Sequence, residues 1–399
     1  MSWRLFNRYR ESPLRAGSFP AFRSFVINPQ SFGDSVRLYA STSSWIEGAA
    51  VQQLRKSAEL PGVVAAIGMP DLHPGKGIPI GAAILTRGLV YPHLVGNDIG
   101  CGMALSQTDL GCHKARVDKW IKRLSLDLPW EGDRDGFAAA EGLPAWSDAL
   151  GTIGGGNHFA ELQRVEEVLD APLAARLGLD PACFQLMVHS GSRGLGEAIL
   201  RSHTNVYGGE GIPDDTDRAA EYLRRHDDAV IFARANRRLI ARRFLDGIGC
   251  GGVELCDMTH NLVTPRDGGW LHRKGAAPSD PPFVLTPGSR GTLSYVVHPL
   301  RDDAEHGWSL AHGAGRKWDR GSARARLENR YTAENLQKTK LGSRVLCADK
   351  DLLFEEAPEA YKDIDRVIAD LTGLGLARVV ATLRPVLTYK TDGSGRRWN

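Results

Sequence analysis

At 399 residues, 42% hydrophobic and 24% charged, the chain has ordinary globular composition, which excludes a disordered or fibrous protein. Fifty basic against 47 acidic residues leave a net charge of only +3, so any contact with nucleic acid must come from local patches. The 45 glycines exceed the usual ~7% of residues and point to backbone loops that wrap a ligand closely.

Residues 1–34 carry several arginines but no apolar core of a signal peptide, and their poor patterning predicts an arm ahead of a single domain over 35–399. A helix is expected over Trp45–Leu60, capped by Ser43 or Ser44 and stopped by Pro61-Gly62. Val63–Ile67, Ile78–Leu85 and Leu94–Val95 read as strands joined by glycine turns. Lys114–Leu126 reads as a helix, and 127–150 as a polar connection. The glycine loop Gly151–Asn157 is expected to open a helix over Phe159–Asp170, and Gln185–His189 is a short buried strand. The longest helix should run from Asp214 and Asp215 to about Asp246, with Gly247 as its stop. Strands and turns return over 252–312, a basic helix spans Arg320–Asn335, and Pro358–Leu383 reads as a helix or helix pair broken at Gly373 and Gly375. With no internal repeat and no Pro/Ser-rich linker, the pattern favours one α+β domain around a mixed sheet.

Six cysteines, at 101, 112, 183, 250, 256 and 347, form no Cys-x-x-Cys pair, so neither a zinc ribbon nor a disulfide framework is indicated. No apolar run approaches the ~20 residues of a membrane span. Together these predict a cytoplasmic protein with reduced thiols and no membrane partner.

Four segments place a metal-ligand type where a strand meets a tight loop: Asp98 with Cys101, His158, His189 and His260. One carboxylate, one thiolate and three imidazoles suit a transition metal, and a bridging thiolate would let five ligands serve two ions roughly 3.5–4 Å apart, as in phosphoryl chemistry. The plainer alternative is that each histidine is a hydrogen-bonded structural residue. His312 differs, because small residues flank it in Ser309-Leu-Ala-His-Gly-Ala-Gly-Arg and leave its imidazole approachable. A neutral imidazole can attack phosphorus; a sixth ligand or a buried hydrogen-bonding role is the alternative. The glycine loops offer successive N–H groups to phosphate, yet none fits a P-loop or a strand-linked Gly-x-Gly-x-x-Gly. Arg234, Arg238 and Arg242 share a helix face flanked by Arg237 and Arg243, most simply read as a solvated face. A second cluster, Arg316, Lys317, Arg320, Arg324, Arg326 and Arg330, follows His312 and would suit a polyanion groove.

At these residues the sequence resembles the RtcB-type RNA ligases. The matching strings are Met69-Pro-Asp-Leu-His-Pro-Gly-Lys-Gly, Gly96-Asn-Asp-Ile-Gly-Cys-Gly-Met, Gly154-Gly-Gly-Asn-His-Phe-Ala-Glu, His189-Ser-Gly-Ser-Arg-Gly-Leu-Gly, His260-Asn, Pro287-Gly-Ser, the His312 string and Glu356-Ala-Pro-Glu-Ala-Tyr-Lys-Asp. The stretch from Trp45 to Leu105 resembles the subclass encoded beside release factor H, which implies a functional link to a release factor H-like protein. The resemblance implies an RtcB-like fold, mixed sheets with surrounding helices about a central metal and nucleotide pocket. It also implies GTP- and Mn²⁺-dependent joining of RNA 3′-phosphate or 2′,3′-cyclic phosphate ends to 5′-hydroxyl ends, in tRNA or rRNA repair. His312 would be the guanylylated residue. Asp98, Cys101, His158, His189 and His260 would hold two Mn²⁺ ions. Asn157, His158, Phe159, Glu161, His260, Asn261, Pro287, Gly288, Ser289, Arg290, Ser294, His312, Gly313, Ala314, Gly315 and Lys390 would contact GTP, and Arg193 an RNA phosphate. Arg290 stands where the family usually has Met, and Leu262 replaces a common Tyr after His260-Asn. Two rivals are a metal-dependent cyclic phosphodiesterase or phosphatase, which would need no nucleophile at His312, and a non-catalytic RNA-binding protein.

Overall fold

The computed structural model describes residues 28–144 and 146–394. Most of its strands form two sheets. The larger, of eight strands, runs Gly252–Thr259, Gly102–Gly111, Cys183–Ser190, Phe159–Val168, Ala377–Thr391, Ser294–Pro299 and Val284–Thr286, with Arg344–Cys347 parallel to Ala377–Thr391. The smaller contains Val63–His73, Ile80–Thr86, Gly269–Lys274 and Asn261–Arg266, with two short strands at its edge. One apolar cluster links the two, with Ile67 and Met69 from the smaller sheet and Met103, Met187 and Val296 from the larger.

The 32-residue helix Asp217–Ile248 closes one face of the large sheet, burying Ile240, Phe244 and Ile248 with Leu162, Leu186 and Val188. Thr216 caps it by accepting from the Ala219 N–H, and Gly249, at φ 78°, ends it. The start and stop expected from sequence are therefore displaced. Asp214 instead accepts from the Trp270 indole at 3.0 Å, and Gly247 stays helical.

Several other expectations change for tertiary reasons. Phe159–Val168 is a strand, not a helix, because it is held on both sides by Cys183–Ser190 and Ala377–Thr391. Ala377–Thr391 is likewise one 15-residue strand. The C-terminal helix covers only Ile364–Gly373, and Pro385 is tolerated at a register shift. Leu94–Val95 belongs to a helical turn opened by Pro92. Lys114–Leu126 keeps only Val117–Ile121 as α-helix, and Arg320–Asn335 divides into Arg320–Leu327 and Ala333–Leu336. The first helix is Gly48–Ala58, and neither serine caps it. Ser41 and Ser44 face Arg366 and Asp370, which take their hydroxyls into a tertiary network. Of the expected arm, residues 1–27 lie outside the described residues, while Gln30–Ser31 pairs with Val36–Leu38. Arg237 does not belong to an exposed basic face but is fully buried. No helix among the described residues is long and apolar enough to cross a membrane.

Register decides where the chemistry sits. Gly102 pairs with both Thr259 and Ser190, and His189 pairs with both Met103 and Phe159. Four strand ends thus form one row. Cys101, His158, His189 and His260 lie at or next to those ends.

Candidate active site

The Asp98–Cys101 loop approaches the long helix so closely that a Cβ on Gly100 (φ 79°) would meet the Ala233 methyl at 2.6 Å. Only glycine lets the loop turn there. The Cys101 carbonyl accepts from the His260 N–H at 2.8 Å, which ties two candidate ligands together through the backbone. Cys101 Sγ lies 3.2 Å from His189 Nε2 and 3.5 Å from His158 Nε2, and the latter lies 2.9 Å from Asp98 Oδ2. The donor atoms form two triads, Cys101–His189–His260 and Asp98–Cys101–His158, each within 4.8 Å. Cys101 belongs to both, the arrangement that a thiolate between two cations requires.

Electrostatics agree with a cation site. Burial, helped by neighbouring imidazoles, holds His189 and His260 well below the usual histidine range, leaving neutral rings with lone pairs. Burial, then the Asp98 charge, pushes the Cys101 thiol up, so its thiolate needs a bound cation. Burial acts most strongly against the Asp98 charge, but His158, Cys101 and Arg193 together outweigh it and keep the carboxyl below its ordinary value.

His312 completes the row of rings. Its centroid is 4.7 Å from that of His260, which is 5.2 Å from that of His189. Its Nδ1 donates to Asp71 Oδ2 at 2.6 Å, and its backbone N–H reaches the same oxygen at 3.2 Å. With the proton on Nδ1, the Nε2 lone pair is free to act. Gly275 leaves room for the ring, since a Cβ there would lie 2.8 Å from His312 Cε1.

A cavity of about 1160 Å³ opens over this row. Asp98, Cys101, His189, His260 and His312 line it, as do Asn157, Phe159, Glu161, Asn261, Pro287–Arg290, Gly313–Gly315 and Lys390. Three sequence candidates stand outside its wall. His158 sits against Asp98 and Cys101; Ser294 accepts from Gln163 at 3.1 Å; Arg193 donates to Thr152 at 3.3 Å behind the glycine loop. That loop leads into a strand rather than a helix, so it has no helix dipole to offer a phosphate.

Glu161 is buried, and burial lifts it to about 7 although Thr388 and Gln163 donate to it. Burial likewise opposes the charge on Glu356, but Lys390 and Arg316 hold it down at about 2. Lys390 also donates to the Gly156 carbonyl at 2.7 Å.

Sequence reasoning assigned no role to Asp71, Glu356, Thr388 or Lys274. Asp71 is 241 residues from His312, and spacing carries no trace of such a pair. Lys274 lines the cavity, and burial alone lowers it to about 8.

Two donor triads sharing a thiol, facing an approachable histidine in one cavity, describe an enzyme built for transfer chemistry beside a metal. Residues 53–138 and 130–391 match the family described as tRNA-splicing ligase RtcB. RNA-splicing ligase RtcB2 of Escherichia coli is 50% identical over 375 residues, covering 92% of this chain and 98% of the relative. RNA-splicing ligase RtcB of Mycobacterium tuberculosis is 32% identical over 84% of this chain and 99% of its own length, and tRNA-splicing ligase RtcB of Archaeoglobus fulgidus is 29% identical over 86% and 91%. The chain belongs to the RtcB family and is an RNA ligase.

Proposed function

We propose that the protein joins RNA 3′-phosphate or 2′,3′-cyclic phosphate ends to 5′-hydroxyl ends, with GTP as co-substrate and two Mn²⁺ ions bound by Asp98, Cys101, His158, His189 and His260. The observation that carries this reading is the His312 ring, held by Asp71 beside His260. A hydrolase working through metals alone would need no such nucleophile. When bound, the cations would polarise phosphate oxygens and offset charge developing in transfer. His312 Nε2 attacks the α-phosphorus of GTP, forming an N–P bond as pyrophosphate leaves. GMP then passes from His312 to the RNA 3′-phosphate, and attack by the 5′-hydroxyl oxygen releases GMP. A cyclic phosphate is first opened by water to the 3′-monophosphate. The link to a release factor H-like protein remains part of this reading, through the sequence between Trp45 and Leu105.

The test is incubation with α-labelled GTP and Mn²⁺, then denaturation. Wild type should retain label, while His312→Ala or a chelator should abolish it. No label on wild type would favour the phosphodiesterase or phosphatase instead.

Glu161 makes a second expectation. As a carboxylate it can accept from the guanine N–H edge, but below about 7 the free protein holds it neutral. Ionisation rises with pH, so GTP should bind about tenfold more tightly at roughly pH 8 than pH 6, the ratio of ionised fractions around such a group. Calorimetric titration at constant metal concentration measures this. Glu161→Gln should weaken binding and remove the slope; an unchanged slope in that variant would dismiss the role.

A further inference from the structure

A second cavity, of about 960 Å³, adjoins the first. The two share Trp45, Arg290, Lys317, Trp318 and Tyr361 in their walls. The second is lined by seven Lys or Arg side chains but only two carboxylates, Glu359 and Asp363. Glu359 is engaged, accepting from the Tyr331 hydroxyl at 2.8 Å. Lys338 and Lys340 are exposed, and among the described residues neither meets a carboxylate.

Aromatic faces stand among these cations. Lys317 and Arg326 lie 5.7 and 5.2 Å from the Trp318 ring, Arg330 lies 5.7 Å from Tyr331, and Lys362 lies 5.9 Å from Trp45. Arg290, at the seam between the cavities, is 6% exposed. Its Nη2 donates to the Leu353 carbonyl at 2.7 Å, but Nε and Nη1 have no hydrogen-bond partner. Those two nitrogens are themselves buried, so the cations that face the second cavity freely are the exposed Lys338 and Lys340.

Resting on the RNA-ligase reading, we propose that this second cavity is a track for a single RNA strand leading away from the reacting ends. Its bases stack on Trp45, Trp318 and Tyr331. Its phosphates meet Lys317, Lys338 and Lys340. Rings interleaved with cations suit unpaired nucleotides, because a duplex hides its base faces. An acidic protein segment would answer the lysines but leave the rings without a stacking partner. Ligation brings two ends to one phosphorus, and a cleft with a side arm lets one strand leave without crossing the other.

The probe is a fluorescein-labelled single-stranded RNA of about a dozen nucleotides with hydroxyl ends, followed by anisotropy without GTP or metal. Each lysine contact contributes about 0.7 to the salt dependence of log K for single strands, so Lys338→Ala with Lys340→Ala should lower the slope by about 1.4. Trp45→Ala should weaken binding roughly 5- to 150-fold, the range for losing one stacked base. His312 labelling by GTP should stay at the wild-type level in Lys338→Ala with Lys340→Ala, whose positions line the second cavity and not the first. Wild-type RNA affinity in the variants would overturn the proposal, as would equal losses for a duplex of the same length or displacement by polyaspartate as effective as by RNA. If wild type takes no label from GTP while the variants still lose RNA, the ligation chemistry fails and the track stands.

Discussion

Asp71→Ala is expected to slow His312 labelling by GTP roughly 10²–10⁴-fold, the scale on which a histidine suffers when its proton-holding partner is lost. Asp71 is fully buried, and one of its oxygens takes both the Nδ1 proton and the backbone N–H of His312. Without it the ring can rotate and the proton can move to Nε2, which removes the attacking lone pair. Asp71→Asn separates orientation from charge. Its amide oxygen can still accept from Nδ1, so labelling should recover part of the loss, and the remainder measures what the negative charge adds to a histidine becoming cationic. Single-turnover labelling, with thermal melting as a check on folding, decides the matter. A wild-type rate in Asp71→Ala would remove Asp71 from the machinery.

The second large effect concerns stability. Arg237 is fully buried and makes a forked pair with Asp257 at 2.6 and 2.7 Å. It also donates to the Gly100 carbonyl at 2.8 Å and the Ser190 carbonyl at 2.9 Å. One guanidinium therefore clamps the segments that carry Cys101, His189 and His260. Arg237→Met leaves Asp257 with only the half-exposed Arg234, 3.6 Å away, and should destabilise the fold by up to about 3–5 kcal/mol. Adding Asp257→Leu removes the stranded charge and should restore much of that, because well-packed apolar replacements of buried pairs are often near neutral. Urea midpoints for the three proteins test this. A single variant that unfolds with wild type would show that the clamp is not needed.

The candidate ligands were legible because each sits where an apolar run ends against glycine or asparagine, and such junctions aim side chains. Asp98, Cys101, His158, His189 and His260 carry that mark. Asp71 does not: it lies inside the string Met69-Pro-Asp-Leu-His, which carried the resemblance but no role for it, and its meaning comes from a histidine brought beside it by folding. Arg237 misled in the opposite sense. Its helix carries arginines on several sides, and periodicity alone left it on an exposed basic surface, whereas Asp257 draws it inside.

The two large errors in secondary structure share a cause. Phe159–Val168 buries Glu161 and Gln163 along with Ala160 and Leu162, so the period-two alternation of a half-buried strand is lost. Ala377–Thr391 is buried along much of its length for the same reason, with neighbours on both sides.

By itself the sequence determined which chemical groups are present, that most candidate ligands adjoin tight turns, and that His312 is flanked by residues too small to cover it. These are local properties, fixed by covalent order and by the freedom glycine gives the backbone. Only the tertiary structure decided that Cys101 belongs to two donor triads, that Asp71 holds His312, and that a second basic and aromatic cavity meets the first at Arg290. Those facts depend on strand register and on charges forced to find partners once water is excluded, and neither is encoded in the neighbours along the chain.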